Sequence, residues 1–421
     1  MGRVGGQWRP IYGPGRGYSR RWRGRLSPGR APGAGDVEVA GGYSLPPAGP
    51  LQPLPPISVS TAPPDAFDPD APAEPGAGLF GLSSPKEECR VRVLGVPFDA
   101  TTSYRKGAAR GPAAVLAASH QVDLFDPAQA RWPGGDGRPW AAGIHLEIDA
   151  QVEAWNREAR PLAESVIEVG GRIEGRPELE AARARVDELG AAVDARVHGW
   201  TRLVLASGGL PVVLGGDHSV PSGAMRAAAD AHPGLGLLHF DAHADLRVAY
   251  EGFTWSHASI LHNVLDRNPD ISRSLSVGLR DVGEREFEAV EASDGRIGVL
   301  WDHDWARHRA AGLDLGELAR RELEPLPEEL WLTIDVDGLD PALCPNTGTP
   351  VPGGLAWGEM MLWLEVLAES GKRVVGLDLC EVSPGEEPAA DEDSWDAIVG
   401  ARLLYKAIGA ALAANSSGGR D

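Results

Sequence analysis

Long apolar runs are absent from this chain. No stretch of about 18 consecutive apolar residues occurs in its 421 residues, so no membrane-spanning helix is expected. Cysteine is nearly absent as well: Cys89, Cys344 and Cys380 stand far apart and form no CxxC pair. That argues against a disulfide framework and against a cysteine-ligated zinc site, and a reducing cytoplasm fits best. Basic residues are in short supply. The chain carries 40 Lys and Arg against 60 Asp and Glu, a formal net charge of −20. An acidic body argues against a nucleic-acid partner, because phosphate binding needs a basic face. It suits a cationic substrate, and it serves solubility equally well. No internal repeat is visible. The length and the 43% hydrophobic content allow a large core in one α/β domain.

Residues 1–85 are set apart by their Gly, Pro and Arg content and lack both strand and helix periodicity. They are expected to be a disordered or loosely packed extension. The first 30 residues hold eight Arg and no Asp or Glu, so the remainder carries about −28. This start weakly resembles an organelle transit peptide, although its Gly and Pro suit an amphipathic helix poorly, and it has no apolar segment for a secretory signal. Phe67 and the stretch Gly78-Leu-Phe-Gly-Leu82 offer apolar anchors toward the domain or a neighbouring subunit.

From Cys89 the texture changes. Cys89-Arg-Val-Arg-Val-Leu-Gly-Val-Pro97 predicts a first strand, and Gly111-Pro-Ala-Ala-Val-Leu-Ala-Ala-Ser119 a helix with proline in its first turn. Over residues 178–206, Val186, Leu189, Val193, Val197, Trp200 and Val204 recur at steps of three and four, the mark of an amphipathic helix, and Gly208-Gly209 stops it. Short apolar runs follow at 210–214, 235–240, 275–279, 297–301, 330–334 and 374–379, most of them separated by helical stretches. This alternation predicts an α/β fold of three layers, α/β/α, with a central parallel sheet covered on both faces.

In such sheets ligands gather beyond the carboxyl ends of the strands. Three runs end in candidate metal ligands: His218 after a Gly-Gly turn, then Asp241, His243 and Asp245, then Asp335 and Asp337. Residues i and i+2 of an extended chain point to the same side, so each group can converge. Four carboxylates in one place repel unless cations neutralise them. Two divalent ions would do so, and a site of two His and four Asp suits Mn²⁺, with Ni²⁺, Co²⁺ or Fe²⁺ as alternatives. Taken singly, His218 reads as a helix cap or a core histidine, and an Asp-x-Asp as a turn. Asp340, followed by Pro341, reads as such a turn.

Together the motifs GGDHS at 215–219, DAHADLR at 241–247, SHAS at 256–259, DVDGLDP at 335–341 and TGTPVPGG at 347–354 resemble the ureohydrolase family of arginases and agmatinases, over roughly residues 89–410. The stretch Leu94-Gly-Val-Pro-Phe-Asp-Ala-Thr-Thr-Ser-Tyr resembles the agmatinase branch. The resemblance implies an arginase/deacetylase-like fold and a catalytic domain over 86–415. It implies that His218, Asp241, Asp245 and Asp337 hold one ion and Asp241, His243, Asp335 and Asp337 the other, with Asp241 and Asp337 shared. It places His257 as a proton shuttle, Glu381 as the carboxylate that clamps the guanidinium, and Thr349 as a residue lining the site. The implied activity is hydrolysis of a guanidino group by a hydroxide that two ions supply, releasing urea and an amine. A homo-oligomer, trimer or hexamer, is the further expectation.

Three features depart from the family pattern. The Asn-bearing stretch by which arginases recognise an α-amino acid is missing after Asp245, which speaks against arginine. His257 is followed by Ala258 where the family has Gly. Residues 120–178 form a long Trp-bearing insert. Ser119-His-Gln-Val-Asp and Tyr250-Glu-Gly-Phe resemble a sub-branch that includes hydrolases of free guanidine. Free guanidine and a formimino compound such as formiminoglutamate therefore stand beside agmatine as alternatives. A one-zinc deacetylase of related fold and a catalytically silent scaffold are disfavoured by the complete ligand set.

Overall fold

The computed structural model describes residues 67–385 and 394–417. The chain enters through β1 (Val91–Val96) and α1 (Gly111–Ser119), then β2 (Ile144–Ile148), α2 (Ala150–Ile167) and α3 (Pro177–Ala206). Next come β3 (Leu210–Gly215), α4 (Ser222–Ala231), β4 (Gly236–Phe240), α5 (Ile260–Arg267), β5 (Arg273–Val277), α6 (Glu284–Glu291) and β6 (Ile297–Leu300). The rest is α7 (Asp302–Ala310), α8 (Leu315–Leu323), β7 (Glu329–Asp335), α9 (Trp357–Glu369), β8 (Arg373–Cys380) and α10 (Trp395–Ser417). The strands form one sheet in the order β2-β1-β3-β8-β7-β4-β5-β6, and every pairing is parallel. All carboxyl ends therefore lie along one edge.

The central strands are continuous apolar runs because both of their faces are covered. Leu210, Val212 and Leu214 of β3 join a core built with α1, α7, α8, α9 and α10. Val213, between them, joins the opposite core with α2, α3, α4 and α5. The expected three-layer α/β/α architecture is the one found. The helix α10 is long and apolar enough to cross a membrane, but 78% of its apolar window is buried, so here it serves as a core helix.

Two boundaries differ from those expected. Residues 67–85 are packed onto the domain rather than loose: Leu79 and Phe80 are buried, Phe80 lies 4.8 Å from the Tyr405 ring, and its N–H donates to Ser119 Oγ at 2.8 Å. The anchors named from the sequence, Leu79, Phe80 and Leu82, are the residues that hold it. The rest of the expected extension, residues 1–66, lies outside the described residues. The insert at 120–178 is woven into the fold. It supplies β2 at the sheet edge and α2, whose N-cap Asp149 accepts the N–H groups of Gln151 and Val152 at 3.0 and 3.2 Å.

Candidate metal centre

Four neighbouring strands, β3, β8, β7 and β4, end at the centre and place its side chains. After β3 the chain turns through Gly216, where a Cβ would come within 1.9 Å of the Phe98 carbonyl, so only glycine lets the turn lie this close to the loop after β1. That turn delivers His218. From β4 come Asp241, His243 and Asp245, and from β7 come Asp335 and Asp337. Gly338 lets the β7 loop press on β4, since a Cβ there would meet the Asp241 nitrogen at 2.7 Å. Asp245 and Glu381 adopt left-handed backbone, at φ +54° and +64°, which costs a non-glycine residue roughly 1–2 kcal/mol each. Such strain concentrates where side-chain direction matters for function.

The six predicted ligands converge. His218 Nδ1 lies 3.0 Å from Asp241 Oδ2, 3.2 Å from Asp245 Oδ2 and 3.4 Å from Asp335 Oδ2. His243 Nδ1 lies 3.0 Å from Asp337 Oδ2 and 3.5 Å from Asp241 Oδ1. Two groups of donors result, joined by Asp241. The division differs from the one the resemblance implied: Asp337 faces His243, and Asp335 faces His218. The reason is local. Asp335 is the last residue of β7 and keeps the strand direction, while Asp337 lies in the tight turn Val336–Gly338. The Asp337 N–H donates to Asp335 Oδ1 at 2.8 Å, and its own Oδ1 accepts the Ala242 N–H at 3.0 Å. Asp340 stands apart as a turn residue, accepting the Ala342 N–H at 2.9 Å.

The electrostatics are those of a cation site. Burial and then the Asp241 charge push Asp245 up to about 7. Burial, Asp337 and Asp241 raise Asp335 well above the carboxylate range. Burial alone would lower His243, but Asp337 and Asp241 outweigh it and carry it up to about 12. Protons are thus held where four buried carboxylates crowd together, and divalent cations would take their place. All donors are carboxylate oxygens and imidazole nitrogens. This set fits Mn²⁺ or Ni²⁺ and includes no thiolate.

Glu381 closes one side. Its Oε1 accepts the His218 N–H at 3.0 Å, whereas its Oε2 is buried and has no partner. Burial and then Asp217 raise this carboxyl. His257 lies beside it, with Nδ1 at 3.7 Å from Glu381 Oε1 and Nε2 at 3.2 Å from Ser103 Oγ. Burial and then the His243 charge push His257 down to about 3, so it rests neutral. Thr349 Oγ1 donates to Asp337 Oδ2 at 3.2 Å and so lines the centre by bracing a ligand.

Four contributors escaped the sequence. His239 Nε2 lies 2.9 Å from Asp241 Oδ2 and its Nδ1 2.9 Å from Ser276 Oγ. Its signal was present, since it extends the alternating row of Asp241, His243 and Asp245 two residues back. Thr333 Oγ1 bonds His218 Nε2 at 2.9 Å and Asp378 Oδ1 at 2.9 Å, and the Trp331 indole N–H donates to Asp378 Oδ2 at 2.6 Å. Ser103, Thr333 and Asp378 are single polar residues in a loop or in apolar strands, and nothing in spacing marks them.

Known proteins resemble this chain in sequence and in fold. Residues 89–409 match the arginase family model. The chain is 33% identical to N(1)-aminopropylagmatine ureohydrolase of Thermus thermophilus, over 79% of this chain and 94% of the relative. It is 30% identical to agmatinase of Bacillus anthracis, over 73% and 88%. The solved proclavaminate amidino hydrolase from Streptomyces clavuligerus shares the fold at a TM-score of 0.61 and 22% identity, covering 82% of this chain and 100% of that one. The agmatine ureohydrolase of Thermoplasma volcanium does so at 0.57 and 24%, covering 78% and 92%. By the match over most of its length and by these relatives, the chain belongs to the arginase family.

Proposed function

We propose that this chain is an agmatinase-type ureohydrolase that cleaves the guanidino group of a short cationic substrate and releases urea and an amine. The observation that carries this reading is Glu381, a buried carboxylate with one oxygen held by a backbone N–H and the other without a partner. An orphan buried carboxylate oxygen calls for a charged donor, and a guanidinium offers positive charge with N–H groups in a plane. Gly348 walls this carboxylate: a Cβ there would stand 3.4 Å from Oε2 and 3.2 Å from Thr102 Cγ2.

His218, Asp241, Asp245 and Asp335 would hold one divalent ion, and Asp241, His243 and Asp337 the other. Bound there, such ions supply hydroxide near neutral pH by lowering the pKa of water. Glu381 holds and orients the guanidinium so that its carbon faces the attack. His257, neutral at rest, takes up, at the nitrogen facing the site, the proton that the newly added hydroxyl sheds as the urea carbonyl forms, and passes it to the leaving nitrogen. The relatives named for aminopropylagmatine and agmatine support a substrate with a second amine, as does the acidic body of the chain. All three cysteines are free and buried, which suits a reducing cytoplasm.

The test is urea release by Mn²⁺-loaded and Ni²⁺-loaded protein across agmatine, N(1)-aminopropylagmatine, guanidinobutyrate, arginine, free guanidine and formiminoglutamate. The proposal expects the highest kcat/KM with one of the first two. Turnover confined to free guanidine, or to formiminoglutamate, would overturn it.

A further inference from the structure

The loop between β1 and α1 is pinned on every side. Asp99, fully buried, accepts the N–H groups of Gly107 and Ala109 at 2.9 and 3.2 Å. Asn156 of α2 grips the same residue twice: its Oδ1 accepts the Asp99 N–H at 3.0 Å and its Nδ2 donates to Asp99 Oδ1 at 3.1 Å. Thr101 Oγ1 donates to Asp217 Oδ2 at 3.3 Å, next in sequence to His218, and lies 3.2 Å from the carbonyl of Trp255. The Arg105 guanidinium donates to the Pro345 carbonyl at 2.9 Å. Between these anchors the loop presents Ser103, and Ser103 Oγ is the hydrogen-bond partner of His257 Nε2 at 3.2 Å.

We propose that Ser103 is a positioning residue for His257: its hydroxyl oxygen accepts the Nε2–H and so fixes the imidazole in the tautomer whose bare Nδ1 faces Glu381 and the substrate. This rests on the reading of His257 as the residue that moves a proton. The geometry decides between the two neutral tautomers. With the proton on Nε2, the ring's donor is paired and only an acceptor faces the site. With the proton on Nδ1, a buried N–H faces Glu381 Oε1 at 3.7 Å, beyond hydrogen-bond reach, and orphaned buried donors are the rarer case. A bare Nδ1 is also the form able to take up a proton before delivering it. Ser103 keeps its place because the loop around it is fixed, and the Asn156–Asp99 pair makes α2, in the stretch expected as an insert, part of that fixing. A histidine that transfers protons needs its far nitrogen held by a second group, as metal-ligating and catalytic imidazoles generally do.

Two measurements test this. In protein labelled with ¹⁵N-histidine and free of metal, long-range ¹H–¹⁵N spectra, assigned by comparison with His257→Asn, should show His257 protonated at Nε2. Ser103→Ala should turn that pattern into a mixture of tautomers. In steady-state assays Ser103→Ala should lower kcat about tenfold, with KM and metal content unchanged, and Ser103→Thr, which keeps the hydroxyl, should restore most of it. A wild-type His257 protonated at Nδ1 overturns the proposal whatever the variants do. So does a Ser103→Ala protein with full kcat when His257→Asn is impaired. If His257→Asn itself keeps full kcat, the proton-transfer reading of His257 falls first.

Discussion

Replacing Glu381 by Gln keeps the shape and the contact to the His218 N–H but removes the charge its orphan oxygen offers. Steady-state assays of Glu381→Gln should show a raised KM and a kcat/KM lower by about tenfold or more, the share of a charged hydrogen bond of about 1.5–3 kcal/mol. The ligands carry their own pH signature. Asp245 and Asp335 hold protons more tightly than usual because burial and neighbouring carboxylates favour it, and His243 does so because Asp337 and Asp241 outweigh its burial. Cations must displace those protons, so metal affinity should weaken as pH falls through about 7, the range where Asp245 takes up its proton. Calorimetric titration with Mn²⁺ in two buffers of different ionisation heat should reveal proton release, and a buffer-independent heat would contradict it. The candidate ligands Asp241, His243, Asp245, Asp335 and Asp337 were legible because i, i+2 spacing survives in the chain whatever the fold, and His218 because it follows a Gly-Gly turn at a strand end. Which carboxylate serves which histidine was not, because the turn at Val336–Gly338 redirects Asp337 within two residues of Asp335.

Among elements, the buried central strands announced themselves as short apolar runs. The edge strand β2 did not: Ile144-His-Leu-Glu-Ile148 alternates with polar residues because it pairs with β1 alone. The helix α2 was hidden for another reason, since Pro161 sits inside it. Proline there removes an N–H from the helix ladder and crowds the carbonyl four residues back. Pro161→Ala should therefore raise the stability of the domain by about 1 kcal/mol or more, read as a shift of the urea midpoint at unchanged slope. A drop in stability would mean that the proline is needed where α2 packs against α3. The long helix α3 was readable nearly to the residue, because its apolar spacing is unbroken and a Gly pair ends it.

For the molecule as a whole, the folded unit reaches back to Phe67, whose ring meets Trp140 at 5.1 Å. A chain starting at Phe67 should fold and release urea like the full chain. One starting at Lys86 strips Leu79, Phe80 and Leu82 from the core and should lose several kcal/mol, by about 1.5–3 kcal/mol for each large buried side chain. Chemical denaturation of the two proteins decides it, and equal midpoints would show that these anchors contribute nothing. The order of the strands has a consequence for how the chain comes into being. The strand made last, β8, lies in the middle of the sheet, between β3 and β7. Until the ribosome has delivered residues 373–380, β2, β1 and β3 are severed from β7, β4, β5 and β6. His218 then belongs to one half and the aspartates to the other. The group of Asp241, His243 and Asp337 would be whole within one half, whereas the group that includes His218 would wait for β8, and an ion held there would be a clasp across the seam where the two halves were joined.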